Sequence, residues 1–180
     1  MGTRQTAAAV PDGSTHAATS TCGGAGRFVS LSSVSNPKSF QYEVGVAWDG
    51  RRASSLSVDG RPTILAGPPA DFPMGDEHRW SPEHLFLGSL ASCTMISFLA
   101  HAEHKGVDVI DYSSEIGGTV MRRVEDGRYA FVHVHQRPRV VVAAGQAEKA
   151  RELIGKAERD CFISASTMAE IQNDWEISER

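Results

Sequence analysis

From Phe40 to Trp48, apolar positions alternate with polar or small ones. Phe40, Tyr42, Val44, Val46 and Trp48 share one side, the period of a half-buried strand. Asp49-Gly50 supplies turn chemistry, a second strand is expected over residues 53–58, and Asp59-Gly60 turns the chain into a third over 62–66. Residues 67–80 hold Pro68, Pro69, Pro73 and Gly75 and read as a loop. Ser81-Pro82 then opens a helix, with serine as N-cap and proline in the first helical position. That helix runs to about Lys105 and ends at Gly106. Leu85, Phe86, Leu87, Leu90, Met95, Ile96, Phe98 and Leu99 nearly encircle it, the pattern of a helix inside a core or at a subunit contact.

Two strands follow over roughly 112–124 and 128–142, joined by Glu125-Asp126-Gly127 as a hairpin turn. Ala147, Ala150, Leu153, Ile154 and Ala157 trace one face of a second helix that stops near Asp160. Ile171, Trp175 and Ile177 suggest one closing strand. Strands, long helix, hairpin, helix and strand in that order predict an α+β domain with an antiparallel sheet. Residues 1–37, rich in Ala, Ser, Thr and Gly without an apolar period, predict a disordered tail. The domain therefore occupies 38–180, and Cys22, in the tail, is given no role.

Length and composition narrow the function classes. A chain of 180 residues suits one domain plus a tail, and 41% apolar residues suffice for a sizeable core. Net charge is −4, from 18 basic and 22 acidic residues in no long run, so a nucleic-acid surface is not expected. No basic segment followed by an apolar stretch opens the chain, which predicts a cytoplasmic protein. The longest stretch free of charge and histidine, between His84 and His101, carries Gly88, Ser89, Ser92 and Thr94 and reads as a buried soluble helix, with no membrane partner. Three cysteines in such a chain do not make a disulfide framework; they suit catalytic, redox or simply buried roles.

Cys93 lies within the long helix and Cys161 just past the second. Either can be a small buried hydrophobe, the ordinary fate of free cysteine. As a pair they suit thiol peroxidation, in which one thiolate forms a sulfenic acid and a second thiol captures it. A mid-helix thiol lies beyond reach of the helix dipole, and burial raises its pKa, so a nucleophilic Cys93 needs a cation from elsewhere. Arg51 and Arg52 are candidates, against the plain reading that both are exposed turn residues. Glu83 either complements the helix N-terminus or holds an arginine in a bidentate pair. Ten helical residues separate it from Cys93 by about 15 Å, so in a regular helix it serves only a partner's cysteine.

The string from Ser81 to Cys93, with Pro82-Glu83 and a cysteine ten residues after the glutamate, resembles a motif of the OsmC/Ohr family. The string from Ala157 to Ser164, around Cys161, resembles the family's second-cysteine motif. The likeness spans about residues 42–177, and the proline-rich loop before Trp80 is similar to one OsmC-like subgroup. It implies an OsmC-like fold, a curved antiparallel sheet packed on a long central helix, in an intertwined homodimer with two sites at the subunit boundary. It implies reduction of organic hydroperoxides, with hydrogen peroxide as a further substrate, by a peroxidatic Cys93 and a resolving Cys161. No cofactor is implied; the reductant would be an external dithiol such as a lipoylated protein. Glu83 matches the glutamate that orients the catalytic arginine, which falls at Arg51 or Arg52, with Arg51 preferred because it directly follows the turn glycine. Phe162 stands where the family commonly has proline. Trp80, Phe86, Met95 and Phe162 would supply apolar substrate-binding walls.

Two other readings remain open. The same fold can hold a small lipophilic ligand at the dimer interface without turnover. His101 and His104, three apart on one helical face two turns beyond Cys93, loosely suit metal ligands, though histidines at a helix end usually complement its dipole. His133 and His135 share one strand face and are expected to meet solvent.

Overall fold

A computed structural model describes residues 38–180; the expected tail over 1–37, with Cys22, lies outside the described residues. The long helix, α1 (Pro82–Lys105), is fixed at both ends as its sequence predicts. Ser81 stays extended, its side chain accepts the His84 N–H, and Pro82 occupies the first turn. Gly106 takes the left-handed conformation (φ 64°) that a β-carbon disfavours, and its N–H reaches the last carbonyls. Leu90, Thr94, Phe98 and Ala102 are buried, a single stripe spaced by four. Among the described residues the helix is therefore not buried all round, and Ile96 is 60% exposed.

Before α1 come β1 (Gly45–Trp48), β2 (Ser54–Ser57) and β3 (Ile64–Ala66), an antiparallel meander. The first strand is shorter than its alternation predicts, and its apolar side is uncovered, with Val46 and Trp48 70% and 77% exposed. Alternation describes the pleat correctly, but nothing among the described residues lies over it.

After α1, β4 (Val109–Arg122) and β5 (Tyr129–Val142) form the expected long hairpin, turning at Gly127 (φ 69°). Val134, Gln136, Pro138, Val140 and Val142 of β5 point inward by strict alternation. The upper part of this face packs with Phe98 and Ala102 of α1, the lower part with Leu90.

Three expectations are corrected in the last forty residues. The second helix is broken into α2 (Ala147–Arg151) and α3 (Ile154–Arg159). Ala150, Leu153 and Ala157 are buried as its stripe predicts, but Leu153 N–H bonds to Ala150 O and Lys156 N–H to Leu153 O, a tightened i→i+3 turn at the break. A further short helix, α4 (Phe162–Ala165), follows Cys161. The closing strand is two strands, β6 (Glu170–Asn173) and β7 (Glu176–Glu179), both parallel to β5, so the sheet is mixed rather than antiparallel. They pair with residues 133–136 and 139–142 of β5; Pro138, which has no N–H, lies in the gap. There Trp175 turns inward to pack on Phe98, ring centroids 5.1 Å apart. The molecule is α+β, as expected. By length and composition α1 could cross a bilayer, yet its buried stripe makes it the core helix of this domain.

Candidate active site

The α3–α4 junction carries Cys161 against the middle of α1. Cys161 is fully buried in a cluster with Leu90 and Val134, and Cys93 packs against that cluster half-buried. Both are free thiols packed in one cluster, and each acts on the other's titration, Cys161 raising Cys93 and Cys93 lowering Cys161. Sixty-eight positions of sequence are thus closed into one contact.

The two sulfurs differ in what surrounds them. Cys161 precedes α4 in extended conformation, and its Sγ accepts the Ser164 N–H at 3.4 Å. The Thr94 hydroxyl lies 3.7 Å from the same sulfur. Burial pushes the Cys161 thiol up, but the Ser164 N–H, the Cys93 S–H and then the Ser164 and Thr94 hydroxyls outweigh it, so its net shift is downward. Cys93 is shifted upward, first by burial and then by its neighbour Cys161; the N–H groups of Ile163 and Phe162 offset only part of this. No guanidinium or ammonium of the described residues acts on Cys93. Burial and its neighbour thus hold the Cys93 thiol up, while the donors around Cys161 draw that thiol down.

The remaining expected site residues are spread out. Arg51 and Arg52 are exposed on the turn after β1, and Arg51 is left-handed (φ 51°), its carbonyl accepting the Trp48 indole N–H at 3.0 Å. They line a cavity of about 810 Å³ with Asp49, Met74, Asp76 and Arg79, which contains neither cysteine. Glu83 is exposed on the first turn of α1, without a salt bridge among the described residues. Phe86 stacks on Phe131 at 4.7 Å, beside a cavity of about 420 Å³ that Phe131, Met168 and Ala169 also line. Trp80 and Phe162 are largely exposed, Phe162 next to Cys161, and Met95 is half-buried two residues beyond Cys93.

His101 bonds through Nε2 to Asp160 at 2.9 Å, tying α1 to the residue before Cys161. Among the described residues no group of three or more His, Cys, Asp or Glu is arranged to hold a metal. His133 and His135 lie on the outer face of β5, paired with Glu170 and Asp174.

Sequence reasoning missed Thr94, Arg79 and Phe131. Thr94 adjoins Cys93 but points elsewhere on the helix, along the buried Leu90–Phe98 stripe, and only the fold brings Cys161 there. Arg79 sits between His78 and Trp80 without a motif, yet its Nη1 reaches Asp49 at 3.2 Å, Ser54 O at 3.2 Å and Ala66 O at 3.4 Å, pinning the loop over 67–80 to the first sheet.

The family model described as OsmC-like protein matches residues 75–176, more than half of the chain and a span holding both cysteines and Glu83. The chain belongs to the OsmC-like family. An uncharacterised Bacillus subtilis (strain 168) protein, YmaD, is 26% identical over 140 residues, covering 76% of this chain and 85% of that protein. An OsmC-like protein of unknown function from Vibrio cholerae superposes with a TM-score of 0.69 at 23% identity, covering 76% of this chain and 99% of the other. The organic hydroperoxide resistance protein OhrB of Bacillus subtilis does so at 0.53, also 23% identical, covering 76% and 98%. These likenesses establish the OsmC-like fold. Relatives both with and without a named hydroperoxide role share it, so the chemistry of this OsmC-like chain rests on its own residues.

Proposed function

We propose that this protein reduces organic hydroperoxides through a Cys93 sulfenic acid and a Cys93–Cys161 disulfide. The supporting observation is the meeting of these two free thiols, one half-exposed on a core helix and one buried against it. Cys93 thiolate attacks the distal peroxide oxygen, the O–O bond breaks, and the alkoxide leaves as an alcohol after taking a proton. Cys161 then attacks the Cys93 sulfur, the S–O bond breaks, and hydroxide leaves as water. An external dithiol, such as a lipoylated protein, reduces the disulfide in two exchange steps and becomes a disulfide itself. Hydrogen peroxide fits the same chemistry, and a cytoplasmic setting supplies such dithiols.

No cation of the described residues acts on Cys93, and its thiol is shifted upward. The reading therefore includes a homodimer in which Arg51 of a second copy, held by Glu83, lies beside Cys93 and stabilises its thiolate. Trp80, Phe86, Met95 and Phe162 would form apolar walls for the alkyl part of the substrate.

Reduced protein mixed with cumene hydroperoxide should lose two thiols per peroxide consumed. The Cys93→Ser variant should consume none above background, while Cys161→Ser should stop at a trappable sulfenic acid. Peroxide consumption by Cys93→Ser at the parent rate would refute the assignment. The upward shift of Cys93 favours a second reading, a non-catalytic module holding a small lipophilic ligand. Alkylation of Cys93 against pH separates the two. A midpoint well below the free-cysteine value of about 8.5 supports the peroxidase, and one above it the binding module.

A further inference from the structure

Thr94 is 3% exposed, so its hydroxyl is satisfied by protein groups or not at all. It has two neighbours of acceptor character, Leu90 O at 3.1 Å and Cys161 Sγ at 3.7 Å, and a single proton to give. Leu90 O already has the helical N–H four residues on, as every interior carbonyl of α1 does. Withdrawing the hydroxyl from that carbonyl therefore orphans nothing. Among the described residues the sulfur's other donor at hydrogen-bond distance is the Ser164 N–H at 3.4 Å; the Ser164 hydroxyl and the Cys93 S–H also draw the thiol downward, but that hydroxyl is directed to Cys161 O at 2.8 Å and the S–H vanishes whenever Cys93 is oxidised.

We infer that Thr94 is a positioning residue whose hydroxyl turns between Leu90 O and Cys161 Sγ, donating to the sulfur whenever Cys161 carries the negative charge. This deepens the peroxidase reading and rests on it for its place in the cycle. With Cys161 protonated, its S–H donates to Thr94 Oγ1 and the hydroxyl proton points to Leu90 O. Once Cys161 is a thiolate, the hydroxyl rotates about its C–O bond and donates to sulfur. The charge arises twice. Cys161 loses its proton to attack the sulfenic acid, forming S–S as S–O breaks and hydroxide departs. Later an external dithiol attacks Cys93 Sγ, S–S breaks, and Cys161 leaves with the electron pair. Both events put an anion on a fully buried atom, where a donor that costs nothing elsewhere matters most.

The test uses the full chain carrying C22S and C93A, so that Cys161 is its one thiol, and follows thiolate absorbance near 240 nm against pH. Thr94→Val keeps the shape and removes the donor; it should raise the Cys161 midpoint by about one pH unit or more, as expected for a lost hydrogen bond to a charged group. Thr94→Ser restores the donor and should return the midpoint to within about 0.3 unit of the parent, small against that shift. If Thr94→Val does not fold, Thr94→Ala against Thr94→Ser makes the same comparison. In the chain with both Cys93 and Cys161, dithiothreitol should reduce the disulfide about threefold more slowly with Thr94→Val, because the leaving thiol is more basic. An unchanged midpoint in the donor-free variants, or a Thr94→Ser midpoint as high as theirs, overturns the inference. Failure of the parent to consume cumene hydroperoxide would sink the peroxidase reading alone, since the titration needs no peroxide.

Discussion

Asp160 accepts from Arg159 Nε at 2.6 Å and is hydrogen-bonded to His101 Nε2 at 2.9 Å. Arg159 first, and His101 after it, hold its carboxyl down at about 2. Its folded value lies below its unfolded value of about 3.9, so the contribution to stability is present above that pH and lost as pH falls toward 2. Thermal unfolding of the parent should weaken across pH 4 to 2. Asp160→Asn should start lower at neutral pH and weaken less over the same window. Equal slopes for the two proteins would show that the pairs contribute nothing. At this scale, Cys93 and Cys161 were legible because each sits in a recognisable local string. Thr94 was not, since its contact with Cys161 spans residues 67 apart and depends on which face of α1 meets the α3–α4 junction.

Among the elements, the close approach of β4 to α1 depends on Gly118. A β-carbon there would lie 2.7 and 2.8 Å from ring atoms of Phe131 and 3.0 Å from Leu87 Cδ2. A ring held in a stack with Phe86 yields less readily than a flexible chain end. Gly118→Ala should cost about 1–3 kcal/mol in chemical denaturation, the usual range for overpacking. Gly117 next to it points to open space and should tolerate alanine to within about 1 kcal/mol, mostly a gain in strand propensity. Arg79 is the corresponding pin for the loop over 67–80. Lysine cannot reproduce its bonds to Asp49, Ser54 O and Ala66 O, so Arg79→Lys should increase proteolytic cutting of that loop while α1 stays intact. Sequence announced α1 and the β4–β5 hairpin because caps, turn residues and period all act locally. The division of α2 from α3 and the parallel pairing of β6 and β7 escaped it. A buried Leu153 fits a continuous or a broken helix equally well, and strand direction is decided by a partner far along the chain.

At the scale of the molecule, apolar side chains remain on surfaces that no part of the described chain covers. Val46 and Trp48 share the bare side of β1, and Ile96 projects from the middle of α1, three residues beyond Cys93. Isolated apolar residues on a surface mean little, but a strand side and a core helix uncovered together are what a subunit contact requires. The same reading explains two discordant features of the site: no cation of the described residues acts on Cys93, while Arg51 and Arg52 stand exposed at a cavity that neither cysteine lines. Sedimentation equilibrium should therefore give twice the chain mass for the parent, and Ile96→Glu, which would bury a carboxylate in the contact, should give a monomer with unchanged circular dichroism. The variant should also lose the low-pH arm of Cys93 alkylation expected of the parent, because separation would remove the arginine. A monomeric parent would defeat the two-chain site and leave Cys93 without a source of positive charge among the described residues. A dimer whose Cys93 titrates like its own dissociated variant would keep the contact and reject Arg51.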